Sequence, residues 1–134
     1  MKVMVMGDMN DDPTDNSMRQ CLSAKAEEAQ VGPQDMYNPW YNMLVKQGTG
    51  TLQYRGAWNL FDQIILSPNL LNASGTKDFS TLKFWKARIQ RMPYLFETEG
   101  KYKGSPKRTT AGGVWLDGYS DHLPVCVYLV KTLQ

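Results

Sequence analysis

Asp8 and Asn10 lie just past a short apolar run, Lys2-Val3-Met4-Val5-Met6, in the tetrapeptide Gly7-Asp8-Met9-Asn10. Asp62 stands near the head of Leu60-Phe61-Asp62-Gln63-Ile64-Ile65-Leu66-Ser67, and Asp121 and His122 open Ser120-Asp121-His122-Leu123-Pro124-Val125. A carboxylate just beyond a strand end can accept a proton from water or orient it. Asn10, two residues on, points to the same side of an extended turn, and its amide can donate to an anion without adding charge. Asp62, inside an apolar run, is costly to bury unless it finds a partner. His122 is the only histidine, and imidazole is the side chain that changes charge near neutral pH. Asp121 is adjacent to it and faces the opposite side of a strand unless the backbone bends. A plainer role exists for the acids at the start, since Asp8, Asn10, Asp11 and Asp12 could simply satisfy backbone groups in an Asx-rich turn. That role is assigned to Asp11 and Asp12, and the chemical one to Asp8.

Elements of defined type must hold these groups. Lys2 to Met6 is apolar on both faces, the pattern of a central strand covered on two sides, with Gly7 ending it. A cap at Asn16 or Ser17 and the Ala and Glu content predict a helix over Met18 to Ala29, stopped by Gly32-Pro33. Met36 to Lys46 predicts a second helix, starting near Pro39, with Gly48 as its terminating residue. Thr51 to Arg55 predicts a short strand, and Leu60 to Leu66 a buried one that Pro68 stops. Lys83 to Ile89 alternates as a strand, Pro93 to Glu97 suits a helical turn, and Val125 to Val130 is a third apolar strand. The Gly, Lys, Ser, Pro and Thr content of Glu99 to Gly113 predicts a long surface loop. Trp40, Tyr41 and Trp85 are expected in the core. Strands separated by helical stretches make an α/β layered domain.

The 134 residues suit one domain with an adequate core. Hydrophobic residues are 42% and charged residues 21%, ordinary for a globular chain. A net charge of +2 is too small to argue for nucleic acid. Lys83, Lys86, Arg88 and Arg91, then Lys101, Lys103, Lys107 and Arg108, form clusters that suit a solvated face and loop. Cys21 and Cys126 match neither a zinc pattern nor a disulfide framework and are expected to be buried, inert thiols. No run approaches the roughly 18 apolar residues of a membrane-spanning helix.

The three motifs, Gly7-Asp8-Met9-Asn10, the Asp62 to Ser67 strand and Ser120-Asp121-His122, resemble the endonuclease/exonuclease/phosphatase family. They stand in the family's order and span nearly the whole chain, residues 7 to 125. The resemblance implies a deoxyribonuclease-I-like α/β sandwich, of which this chain supplies one sheet and its helices. It also implies a metal-dependent phosphoesterase using magnesium or manganese. In that scheme Asp8 activates the attacking water, Asn10 holds the phosphate, and His122 contacts the scissile phosphate. Asp62 accepts the other ring N–H of His122 and fixes its tautomer. Asp121, with Asp8, is a metal ligand. The loop Tyr54-Arg55-Gly56-Ala57-Trp58-Asn59 meets substrate, with Arg55 suited to phosphate and Trp58 to stacking. Equally, Trp58 could cap the core and Arg55 pair with an acid. The substrate class stays open among a nucleic-acid backbone, a nucleotide, a sugar phosphate and a phospholipid head group.

The sequence departs from the family pattern in one large respect. Family members carry a further half before the Gly-Asp-x-Asn strand, with an Asn and the principal metal-binding Glu, and no residue here stands in for them. Residues 1–134 are therefore expected to be the C-terminal half of such a domain, binding metal weakly and inactive or nearly so alone. A sheet without its partner would expose an apolar face, which predicts self-association, with a face-to-face homodimer as the simplest form. A non-catalytic, self-associating half-domain is the alternative to an enzyme.

Overall fold

The structure is a computed structural model and describes residues 1–133. In chain order its elements are β1 (Met4–Asp8), β2 (Ala24–Lys25), β3 (Met36–Tyr37), α1 (Tyr41–Val45), β4 (Leu52–Tyr54), β5 (Ala57–Asn59), β6 (Asp62–Leu66), β7 (Lys83–Ile89), β8 (Thr110–Ala111), β9 (Val114–Trp115) and β10 (Val125–Val130). One four-stranded sheet runs in the order β1-β6-β3-β2; β10-β7, β4-β5 and β8-β9 form separate two-stranded ladders. Mixed strand pairing with few helices fits an α/β domain of the kind expected.

The core gathers around β6. Ile64, Ile65 and Leu66 are buried together with Trp40, Leu60, Leu70 and Leu123. Trp40 is fully buried and donates its indole N–H to the Ile64 carbonyl at 3.0 Å, so its polar edge is satisfied inside the apolar cluster. Gln63 is equally buried. Its amide donates to the carbonyls of Asp11 (2.8 Å) and Leu60 (2.9 Å), and its oxygen accepts from Asn38 Nδ2 at 3.0 Å. This buried amide thus ties the loop after β1 to the strand that carries Asp62.

Several expectations are overturned. The strand expected over Lys2–Met6 runs instead over Met4–Asp8, through Gly7; β1 pairs only with β6 and all five of its residues are exposed. An apolar strand is buried only when other elements cover it, and among the described residues none does. The helix expected over Met18–Ala29 is reduced to a π turn at Ser17–Cys21 and a 3-10 turn at Glu28–Gln30, with β2 between them. Ser23 takes a left-handed φ of 52°, and Ala24–Lys25 pairs in parallel with Met36–Tyr37. The Asp35 carboxylate accepts from the Ser23 hydroxyl and the Gly32 N–H, contacts that hold it below the usual carboxylate range. Tertiary pairing has overridden local helix propensity here. The second helix starts near Pro39 as expected, at Tyr41; β3 takes Met36–Tyr37, and Asn38 Oδ1 accepts the Trp40 N–H just before α1. Its end is as expected: Gly48 has φ 65° and donates to the Leu44 carbonyl, followed by Thr49 N–H to Met43. Trp85 is exposed rather than in the core, with Lys86 Nζ 4.4 Å above its ring. Cys21 is exposed and Cys126 half-buried, so neither is a buried thiol. β7 and β10 match their predicted limits. The end of the loop expected over Glu99–Gly113 is instead the strand β8, which pairs with β9 just beyond it.

Candidate active site

The register of β1 against β6 builds the site. Asp8 stands directly opposite Asp62, at the end of a ladder that runs Met4↔Leu66 through Gly7↔Gln63. Like charges opposite each other in a ladder repel, so something positive or hydrogen-bonding is needed between them. His122 supplies it. Its Nδ1 lies 2.8 Å from Asp62 Oδ2 and 4.0 Å from Asp8 Oδ2. Thr51 donates its hydroxyl to the same Asp62 oxygen at 2.5 Å. The carboxylate that seemed too costly to bury has two partners, and its side chain keeps only 20% of its exposure.

A local bend aims His122. Ser120 Oγ accepts the His122 backbone N–H at 3.0 Å, while Leu123 donates its N–H to the Thr51 carbonyl at 2.7 Å and buries its side chain. Consecutive residues then go three ways: Asp121 outward, His122 to Asp62, Leu123 to the core. Asp121 is not brought to the cluster; its carboxylate lies 3.8 Å from the Arg108 guanidinium, and both are about half exposed.

Asp8 and Asn10 form an Asx turn. Asn10 takes a left-handed φ of 52° and donates its backbone N–H to Asp8 Oδ1 at 2.9 Å. This fixes the Asp8 carboxylate with its second oxygen toward His122. Asp12 satisfies a backbone group as expected, accepting from the Leu60 N–H at 2.7 Å, whereas Asp11 accepts from the Ser17 hydroxyl. Burial pushes the Asp12 carboxyl above its ordinary range, and its bond to Leu60 opposes that rise.

Arg55 and Gly56 form the two-residue turn of the β4–β5 hairpin, with φ 50° and 80°. Trp58, across from Gln53, is half-buried against the core and carries the Arg91 guanidinium 5.1 Å above its ring. Sequence reasoning missed Thr51. A Thr before a strand carries no signal of its own, and its role depends on backbone bonds to Asn59 and Leu123 that hold it beside Asp62.

The atoms that Asp8, Asp62 and His122 offer as ligands all lie within 4.8 Å of one another. Asp62 Oδ2 and His122 Nδ1 already satisfy each other. The three residues are thus a candidate divalent-cation site, in which carboxylate oxygens are hard donors. No helix among the described residues is long and apolar enough to cross a membrane.

Searches among curated proteins and among solved structures return no match. A sequence model described as "Endonuclease/Exonuclease/phosphatase family" matches residues 1–131. With nearly the full length matched and the three motifs placed as described, the chain belongs to the endonuclease/exonuclease/phosphatase family, whose members are phosphoesterase-type hydrolases.

Proposed function

We propose that Asp8, Asn10, Asp62 and His122 form the phosphate-handling end of a metal-dependent phosphoesterase with a deoxyribonuclease-I-like sandwich fold. The observation that carries this reading is the Asp62–His122–Asp8 cluster at the end of the β1–β6 ladder. With Nδ1 engaged by Asp62, His122 has Nε2 free to meet a phosphate oxygen, and Thr51 keeps Asp62 from turning away. Asp8 is the more exposed carboxylate, 43% accessible at its side chain, and is placed to take a proton from a water attacking in line at phosphorus. Asn10 donates its side-chain amide to the phosphate. A bound magnesium or manganese ion would neutralise phosphate charge. Asp121 could join Asp8 as a ligand only by leaving Arg108. With so few protein oxygens available, metal binding by this chain should be weak and its own turnover near background.

The test therefore reads binding first. In a 15N NMR titration, manganese should broaden, and phenyl phosphate should shift, the resonances of Asp8, Asn10, Asp62 and His122. His122→Ala should abolish the phosphate response. Responses centred elsewhere would overturn the reading. So would hydrolysis of bis-p-nitrophenyl phosphate that persists undiminished in His122→Ala.

A second reading, a self-associating half-domain, draws on β1 alone. Its residues are exposed, Met6 to 61%, and its outer edge pairs with nothing among the described residues. An unpaired apolar edge invites another strand, and a second copy of β1 would be self-complementary under twofold symmetry. Light scattering should show a dimer that Met6→Lys dissociates; a monomer at high concentration would end this reading.

A further inference from the structure

The β7–β10 ladder turns one face to the core and the other outward. Phe84, Ala87 and Ile89 of β7 pack inward. On the opposite face Lys86 stands across from Tyr128, and Arg88 across from Cys126. The register slips between Lys86 and Phe84, so Trp85 is the extra residue of a β-bulge and shares the outer face with Lys86. The Trp85 ring meets that of Tyr128 edge-on, with centroids 5.9 Å apart. Lys86 Nζ lies 4.4 Å from the first centroid and 5.1 Å from the second. The two rings thereby fix the ammonium on the ladder face.

This face carries one sign of charge. β7 and β10 contain no Asp or Glu. Lys86 and Arg88 are both exposed, and among the described residues neither has a carboxylate at ion-pair distance. They stand two residues apart on a strand, a rise of about 6.6 Å, which is also the spacing of alternate side chains on any extended peptide. The edge beside them is open, since β7 pairs only with β10. Gln90 donates its N–H to the Pro124 carbonyl at 2.8 Å. Bonded pairs alternate along an antiparallel ladder, so Lys86 and Arg88 bond toward β10. Ala87, between them, turns its N–H and C=O to the outer edge, where no described residue takes up either group.

We infer that the outer edge of β7 binds an extended segment of a partner protein in which acidic and apolar side chains alternate. Added as a further strand, such a segment bonds Ala87 through its backbone. Its carboxylates then stand opposite Lys86 and Arg88, and its apolar side chains extend the face that Phe84 and Ala87 share. The same cations argue against a second copy of this chain, because β7 on β7, centred on Ala87, sets Lys86 opposite Arg88. Cations on an edge turn away uncharged strands, which leaves the acidic strand favoured. A nucleic-acid strand would use the two cations but not the Ala87 N–H and C=O. Neither Asp8 nor His122 takes part.

A 15N NMR titration of the chain with three probes tests this: a capped heptapeptide alternating glutamate and valine, the same peptide with lysine for glutamate, and a single-stranded thymidylate octamer. The glutamate peptide should shift the resonances of Lys86, Ala87 and Arg88 and slow amide exchange at Ala87. The lysine peptide should bind at least about fivefold more weakly, the difference that two cross-strand charge pairs supply. Replacing both cations, Lys86→Glu with Arg88→Glu, should reverse that order. The milder pair Lys86→Gln with Arg88→Gln should bring the two peptides within about twofold of each other. Equal binding of the two peptides by the parent chain, or no response to either, would overturn the inference. So would an order that survives both double variants. An octamer that binds more tightly than the glutamate peptide and leaves Ala87 exchange unchanged would make this a nucleic-acid face and not a peptide site.

Discussion

β1 and β6 are neighbours in one ladder and similar in composition, yet they have opposite environments. Met4–Asp8 is exposed along its whole length, while Gln63 to Leu66 are all buried. Val5 and Ile65 are register partners; Val5 is 36% exposed and Ile65 fully buried. Apolar character made both segments strands, but burial came from what packs on them. Trp40, Leu60 and Leu123 cover β6, and nothing comparable covers β1. The candidate site lies where the two conditions meet, with Asp62 anchored toward the interior and Asp8 exposed.

This contrast can be broken most sharply by truncating the register partners. Ile65→Ala should cost about 2–5 kcal/mol in urea denaturation, as a fully enclosed side chain does. Val5→Ala should cost less than about 1 kcal/mol. Equal losses would show that β1 is covered in solution. Next in size is Gln63→Leu, which leaves the Asn38 amide and two carbonyls without partners. About 2–3 kcal/mol should be lost, together with order in the Asp8 to Asp12 loop, read as faster amide exchange there.

Arg55→Asn should move stability the other way. Asn accepts the left-handed conformation more readily, so a gain of about 0.5–1 kcal/mol is expected in thermal denaturation. A destabilised variant would mean that the turn is not strained by Arg55.

The smallest effect concerns pH. Burial, with Glu28 and Glu27 nearby, pushes the Tyr37 phenol up to about 12. A raised value means that folding favours the neutral phenol. Its contribution is intact below pH 10, its ordinary value, and is lost as pH rises toward 12. Tyr37→Phe should lose less stability than the parent over that interval, and identical pH profiles would contradict this assignment.

Much of the candidate site was legible because its residues are marked by local contrast. Asp62 in an apolar strand, a single histidine before another, and a Gly-Asp-x-Asn turn are improbable places for polar groups without a use. Asp121 shows the limit of that reasoning. It sits in the same motif as His122, yet the bend at Ser120 turns it to Arg108. Thr51 had no mark at all, since its bond to Asp62 depends on segments meeting in the folded chain.

The sequence by itself determined the strand identities of β6, β7 and β10, the stop at Gly48, and the set of acids and imidazole available for chemistry. These follow from side-chain pattern and backbone preference, which act over a few residues. Tertiary structure alone decided that Ala24–Lys25 would be a strand and not part of a helix, that β1 would lie exposed, and that Asp8 would face Asp62 across a ladder. Such outcomes are set by pairing and packing between segments far apart in the chain, where the free energy of a contact exceeds the local preference of either segment.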